Sequence, residues 1–300
     1  MSKIKKKRSQ IILKQEKQIS EIWETYTPVF AYEQSYFDIY WPWAGHKHFA
    51  YDLVRNLKPQ TVVELGTHYG TSIFSMAQAV KDVDLHTALY AVDTWTGDKH
   101  TGAYDDSVYQ AVNTMKYAYY PKVNINFLKM TFDEALDQFE NSSIDLLHID
   151  GLHTYDAVKH DYDSWKIKVK DTGIIMFHDI CEHIKDFGVY KLWEELKKEY
   201  CTFEFFHSHG LGVVCYSKEI YNSLKNYETL WQSYYSLINK YIQTKYTLDQ
   251  KLDEIARIQS NSEVKVENIK SLELKLNELL QENGQLKETI NSFNNTVKTE

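Results

Sequence analysis

Between residues 61 and 179 five short apolar runs recur, spaced by amphipathic segments, and this alternation leaves the chain few architectures. The runs are TVVEL (61–65), LYAVD (89–93), INFLKM (125–130), IDLLHID (144–150) and GIIMFHD (173–179). Helical patterns near 71–82, 105–118, 132–140, 154–169 and 188–199 separate them. Strand-length runs alternating with helices build βαβ units, so the sheet should be parallel and covered on both faces. FEFFHSH and LGVVCYS, parted only by Gly210, predict a closing antiparallel hairpin. The expected class is α/β, a doubly wound Rossmann-like sheet.

The flanks differ. With 300 residues, 43% of them hydrophobic, the chain can bury one α/β domain of about 200 residues and still carry extra elements. Residues 1–44 form an N-terminal extension, helix-compatible around Ile12, Ile19, Ile22 and Trp23 and then dense in Tyr and Trp. The domain itself spans 45–217, and 218–300 reads as long helix. There Ile269, Leu272, Leu276, Leu279, Asn283, Leu286, Ile290, Phe293 and Val297 follow a three-four spacing, a coiled-coil seam with Asn283 at a core position. The seam predicts a homo-oligomer; the alternative is one amphipathic helix packed on its own domain. Because the repeat runs to Glu300 without a stop signal, the natural polypeptide is expected to continue.

A formal net charge of -8 argues against a nucleic-acid partner. Lys3 to Arg8 are basic, either a solvated terminus or a weak peripheral contact with an anionic membrane. Cys181, Cys201 and Cys215 have no paired spacing and read as reduced thiols. No apolar run reaches the roughly 18 residues of a membrane span, and no signal peptide follows Met1. The expectation is a cytoplasmic protein without an integral membrane segment.

Ligands of an open parallel sheet bind beyond the strands' carboxyl ends. ELGTHYGTS follows the first run, placing Glu64, Gly66 and Gly70 on a tight turn, where glycines let backbone approach a ligand or simply make the turn. Asp93 closes the second run, a candidate for ribose hydroxyls or a helix cap. Asp150 leaves the fourth run, with His153 opening the next helix, and the fifth ends in His178 and Asp179. Adjacent strands lie about 4.8 Å apart, so Asp150, His178 and Asp179 can converge on a divalent cation. The competing reading has one Asp capping a helix and His178 bonding backbone. His153 then suits proton transfer as a general base.

The chain from about 45 to 217 resembles class I S-adenosylmethionine-dependent methyltransferases. More narrowly it is similar to macrocin- and mycinamicin-type sugar O-methyltransferases, cephalosporin-hydroxylase-like proteins and surface-glycan methyltransferases. VELGTHYGTS, YAVDTWTGD, LLHIDGLHTYDAVKHDYDSW, GIIMFHDI and FGVYKLWEELK with HGLGVV carry the resemblance. It implies a seven-stranded sheet with the last strand antiparallel and S-adenosylmethionine across the first strand ends. Glu64, Gly66 and Gly70 match the cofactor turn and Asp93 the ribose-binding acid, with Thr67, Ser72, Thr94 and Trp95 beside them as further cofactor contacts. Asp150 and Asp179 match positions that hold Mg²⁺, and His153 matches the catalytic base. His178 departs from the family's acid, and a neutral imidazole there suits Mn²⁺ or Zn²⁺ better than Mg²⁺.

These features point to an O-methyltransferase acting on a sugar hydroxyl of a small-molecule or glycan acceptor. Tyr36, Tyr40, Trp41, Trp43 and Trp95 are candidate platforms for sugar rings, or ordinary core aromatics. The alternative is a cofactor-binding scaffold of a glycan-assembly complex, organised by its coiled coil. An oxygen-dependent hydroxylase has no convincing facial triad.

Overall fold

The computed structural model describes residues 23–34, 41–260 and 266–297. The chain divides into two compact units at Thr229 and Leu230. The first holds a seven-stranded sheet built from β1 (Thr61–Leu65), β2 (Ala88–Asp93), β3 (Ile125–Lys129), β4 (Ile144–Ile149), β5 (Val169–His178), β6 (Cys201–Phe205) and β7 (Leu211–Cys215). Their order is β3-β2-β1-β4-β5-β7-β6. The first five strands run parallel, and β7 is antiparallel to both β5 and β6. All five apolar runs are strands, and Gly210 lies in the expected hairpin.

Parallel strands buried on both faces need apolar residues at every position. β1 and β4 accordingly bury Val62, Val63, Leu65, Leu146, Leu147 and Ile149. Helix α1 (Lys47–Leu57) precedes the first strand. Helices α2 (Thr71–Asp82), α3 (Asp106–Tyr119), α4 (Tyr155–Trp165) and α5 (Val189–Glu199) occupy four of the expected helical segments, and the one near 132–140 forms only the short turns Phe132–Ala135 and Leu136–Gln138. On α4, Val158, Tyr162 and Trp165 are buried at helical spacing and join the core that includes Phe177, Trp193 and Val214. Strand order reverses between β1 and β4, so the crevice of the sheet opens beyond their carboxyl ends.

The helix-compatible pattern before residue 31 gives no helix over residues 23–30. Polar side chains of α1 and α2 take up the backbone instead: Glu24 N donates to Asn56 Oδ1 at 3.0 Å, Tyr26 N to Asp52 Oδ1 at 3.1 Å and Ala31 N to Gln78 Oε1 at 3.0 Å. Trp23, Phe30 and Tyr32 are buried by this arrangement. Lys3 to Arg8, Ile12, Ile19, Ile22, Tyr36 and Tyr40 lie outside the described residues.

Two long helices, Glu228–Ser260 and Val266–Val297, account for the second unit. They run against each other in opposite directions, with Tyr234 beside Phe293 and Lys240 paired with Glu282 at 2.8 Å. Asn283 Nδ2 donates to the Tyr241 carbonyl at 3.5 Å, and Leu286 and Ile290 of the expected seam are buried within this unit. Among the described residues no helix is long and apolar enough to cross a membrane.

Trp165 is fully buried against Phe139, with ring centroids 5.4 Å apart. Trp165→Ala should cost about 3–5 kcal/mol, read as a lower urea midpoint for the α/β unit.

Candidate active site at the sheet crevice

A cleft of about 430 Å³ opens at the carboxyl ends of β1, β2, β4 and β5. One wall is the turn after β1. Gly66 has φ 87° and Gly70 φ 82°, conformations that exclude a side chain without strain. At Gly66 a Cβ would lie 2.0 Å from the Asp150 carbonyl oxygen, so the turn after β1 and the turn after β4 are in direct backbone contact. Asp150 N also donates to Leu65 O at 2.8 Å. The glycine signal therefore reports the approach of two loops as well as room for a ligand.

Asp93 ties this wall together. Its Oδ2 accepts from Thr67 N at 2.8 Å and His68 N at 2.9 Å, and its Oδ1 from Trp95 N at 2.7 Å. It caps no helix; the N-cap of α3 is Asp105. Gly66, Thr67, Gly70, Ser72, Asp93 and Thr94 line the cleft. Thr67 Oγ1 is buried and has no hydrogen-bond partner among the described residues. A polar atom left in that state fits a site that a polar ligand completes.

Glu64 and Trp95 are not on the cleft. Glu64 is fully buried and hydrogen-bonded to His148 Nδ1 at 3.0 Å. Burial raises its carboxyl pKa, against the opposing pull of His148. Trp95 is buried in the core, its Nε1 donating to the His68 carbonyl at 2.9 Å. Trp43 lines the cleft at its other end, and the side chain of Trp41 lies outside the description. Of the expected aromatic platforms, Trp43 is the described one that faces the space; Tyr69 and Tyr104 face it as well.

The opposite wall holds the ionisable group. Asp150, His153 and Asp179 each offer one ligand atom, all within 4.8 Å of one another. His153 Nε2 lies 2.9 Å from Asp179 Oδ2 and 3.6 Å from Asp150 Oδ1. His178 Nδ1 approaches the same two oxygens, at 3.2 and 3.4 Å, while its Nε2 lies 3.1 Å from the Ser208 carbonyl. The two competing readings of His178 thus coexist: one nitrogen bonds backbone, the other faces the carboxylates. His153, expected as a base, stands inside the set that could hold an ion.

Electrostatics follow from this packing. Burial would raise Asp150 and Asp179, yet the facing imidazoles hold both below the usual carboxylate range. Burial would lower His178 and His153, but the carboxylates hold His178 well above its ordinary value and push His153 up to about 9. Two hard carboxylate oxygens beside an imidazole nitrogen suit Mg²⁺ or Mn²⁺, so the residues present fit a divalent cation.

Residues 63–180 match a family model described as a methyltransferase domain. A Sinorhizobium fredii protein described as uncharacterized protein y4gI is 41% identical over 191 residues. The match covers 63% of this chain and 21% of that protein, so the chain spans about a fifth of the length of that relative. Among solved structures, an SAH-bound methyltransferase from Podospora anserina is 11% identical, with TM-score 0.47, over 73% of this chain and 98% of that one. An O-methyltransferase from Bacillus cereus in complex with SAH is 12% identical, with TM-score 0.41, over 60% and 84%.

Within this matched segment, Asp161 is set apart from its charged neighbours. It is buried on α4 next to Gly151, where an added Cβ would stand 3.3 Å from its Oδ2. Burial raises its carboxyl to about 7, with His160 pulling the other way. His160 and Asp163, by contrast, are surface residues paired with Asp133 and Lys166. Because Asp161 keeps its proton in the folded state to about pH 7 and loses it near pH 4 when unfolded, its cost grows between those values. Asp161→Asn should leave stability nearly unchanged near pH 3.5 and raise it by about 4 kcal/mol at pH 8, measured by chemical denaturation at both.

Proposed function

We propose that the protein is an S-adenosylmethionine-dependent O-methyltransferase acting on a sugar hydroxyl, in a surface glycan or a glycosylated product, with help from Mg²⁺ or Mn²⁺. The observation that carries this reading is the meeting of two unlike walls in one cleft of a methyltransferase domain. The Gly66–Asp93 wall is built of glycines and fixed backbone, and the facing wall of Asp150, His153 and Asp179.

S-adenosylmethionine supplies an electrophilic methyl group, and a divalent cation polarises an acceptor hydroxyl. The chain's own residues do the rest. Gly66 and Gly70 admit the donor close to backbone, Thr67 Oγ1 offers it a hydrogen bond, and Asp93 keeps the turn rigid. Asp150 and Asp179 would hold the cation. His153 Nε2 takes the hydroxyl proton. With two free carboxylates before it, His153 stays protonated to about pH 9 and has no vacant lone pair. A cation held by those carboxylates would remove the cause of that rise and leave His153 Nε2 with a lone pair for the proton. Trp43 gives the acceptor a flat apolar face at the cleft.

Methyl transfer from labelled S-adenosylmethionine to a panel of glycans should succeed with Mn²⁺ or Mg²⁺ and fall with a chelator. Asp150→Asn and His153→Ala should each lower kcat by about 10²-fold or more, with cofactor affinity by calorimetry little changed. Full activity in both variants rejects the mechanism, and absence of cofactor binding rejects the class.

A further inference from the structure

The loop between β2 and α3 folds as a small ribbon, Gly97–Asp98 against Gly102–Ala103. Its turn is pinned by Asp98, whose Oδ1 accepts from His100 N at 2.7 Å, Thr101 N at 2.9 Å and Thr101 Oγ1 at 3.0 Å. This pinning delivers His100 to His153 across the cleft. His100 Nδ1 lies 3.2 Å from His153 Nδ1, and His100 Nε2 lies 2.7 Å from Asp186 Oδ1. Both imidazoles are nearly parallel to the Phe187 ring, at 4.6 and 4.7 Å between centroids. Gly188 N donates to the His153 carbonyl at 2.8 Å, which fixes the backbone on both sides of the contact.

The direction of each hydrogen bond can be assigned from what each partner accepts. An ionised carboxylate only accepts, so His100 presents Nε2–H to Asp186. A neutral His100 then has a lone pair at Nδ1, and the facing Nδ1 of His153 must donate. We infer that His100, anchored by Asp186, is a positioning residue that holds His153 with Nδ1–H turned to the ribbon and Nε2 turned to Asp150 and Asp179. The inference rests on the reading of His153 as proton acceptor: the hydrogen bond at one ring nitrogen decides which nitrogen is left to react. Asp186 is half exposed and also pairs with Lys99, which keeps its carboxylate ionised and in place. His100 itself is almost fully covered, so water does not compete for its Nδ1. The ribbon thus reaches His153 through His100, while Lys99 and His100 both tie it to Asp186.

The test uses the full chain labelled with ¹⁵N in its histidine rings. A hydrogen-bonded Nδ1–H proton of His153, assigned by its loss in His153→Gln, should appear downfield in the wild type. It should disappear by solvent exchange in His100→Ala, persist in His100→Asn, whose side-chain oxygen can accept in place of Nδ1, and weaken in Asp186→Ala, a surface change that spares the core. In methyl transfer, His100→Ala should lower kcat about tenfold to a hundredfold with the KM for S-adenosylmethionine unchanged, and His100→Asn should restore most of it. A wild type without that resonance, or a His100→Ala protein that keeps both the resonance and kcat, overturns the inference. If the wild type methylates no acceptor, the functional reading fails while the resonance still decides this one.

Discussion

The contact between Gly66 and the backbone of Asp150 sets the geometry on which the rest of the cleft depends. β1 and β4 are neighbours in a parallel sheet, and their exits would ordinarily diverge into separate loops. Here Asp150 N donates back to Leu65 O, and the bare Cα of Gly66 sits against the Asp150 carbonyl. The two turns leave the sheet as one ridge, with glycine backbone on one flank and the Asp150 carboxylate on the other. Asp93 extends the ridge sideways by binding the amides of Thr67 and His68. A site that must bring two reactants together gains from a wall whose position does not depend on either of them.

Charge balance is the second constraint. Two carboxylates in a buried site are costly unless positive charge or hydrogen bonds compensate them. Asp150 and Asp179 are compensated on both sides, by His178 Nδ1 and by His153 Nε2. The imidazoles in turn are held from behind, His178 at the Ser208 carbonyl and His153 at His100. Each group at the centre has a second partner one layer out, which limits the rotations open to it.

Much of this was legible in the sequence, for a definite reason. Strand-length apolar runs end where the sheet ends, so Asp93, Asp150, His178 and Asp179 could be placed at one edge by counting alone. Glycines at positive φ were equally visible. Asp161 shows the limit of residue type as a guide, because it is buried on α4 while the adjacent His160 is exposed. Residues 23–30 lack helix although their pattern permits it, since Asn56 and Asp52 far along the chain claim the amides of Glu24 and Tyr26. The pairs Glu64–His148, His100–Asp186 and His100–His153 join residues 84, 86 and 53 positions apart. No local spacing announces such pairs; the one signal in the sequence is a His-bearing loop, TWTGDKHTGAYDD, that follows the strand end at Asp93.

His178 shows how a single residue type alters what the fold requires. An acid in its place would put a third carboxylate beside Asp150 and Asp179, and such a cluster is tolerable only with a cation among its oxygens. An imidazole reverses the dependence. With His178 protonated between them and His153 protonated on the other side, the two carboxylates are neutralised by the protein alone. The domain can therefore fold around this site with its charge already balanced, and any cation bound there would have to compete with protons.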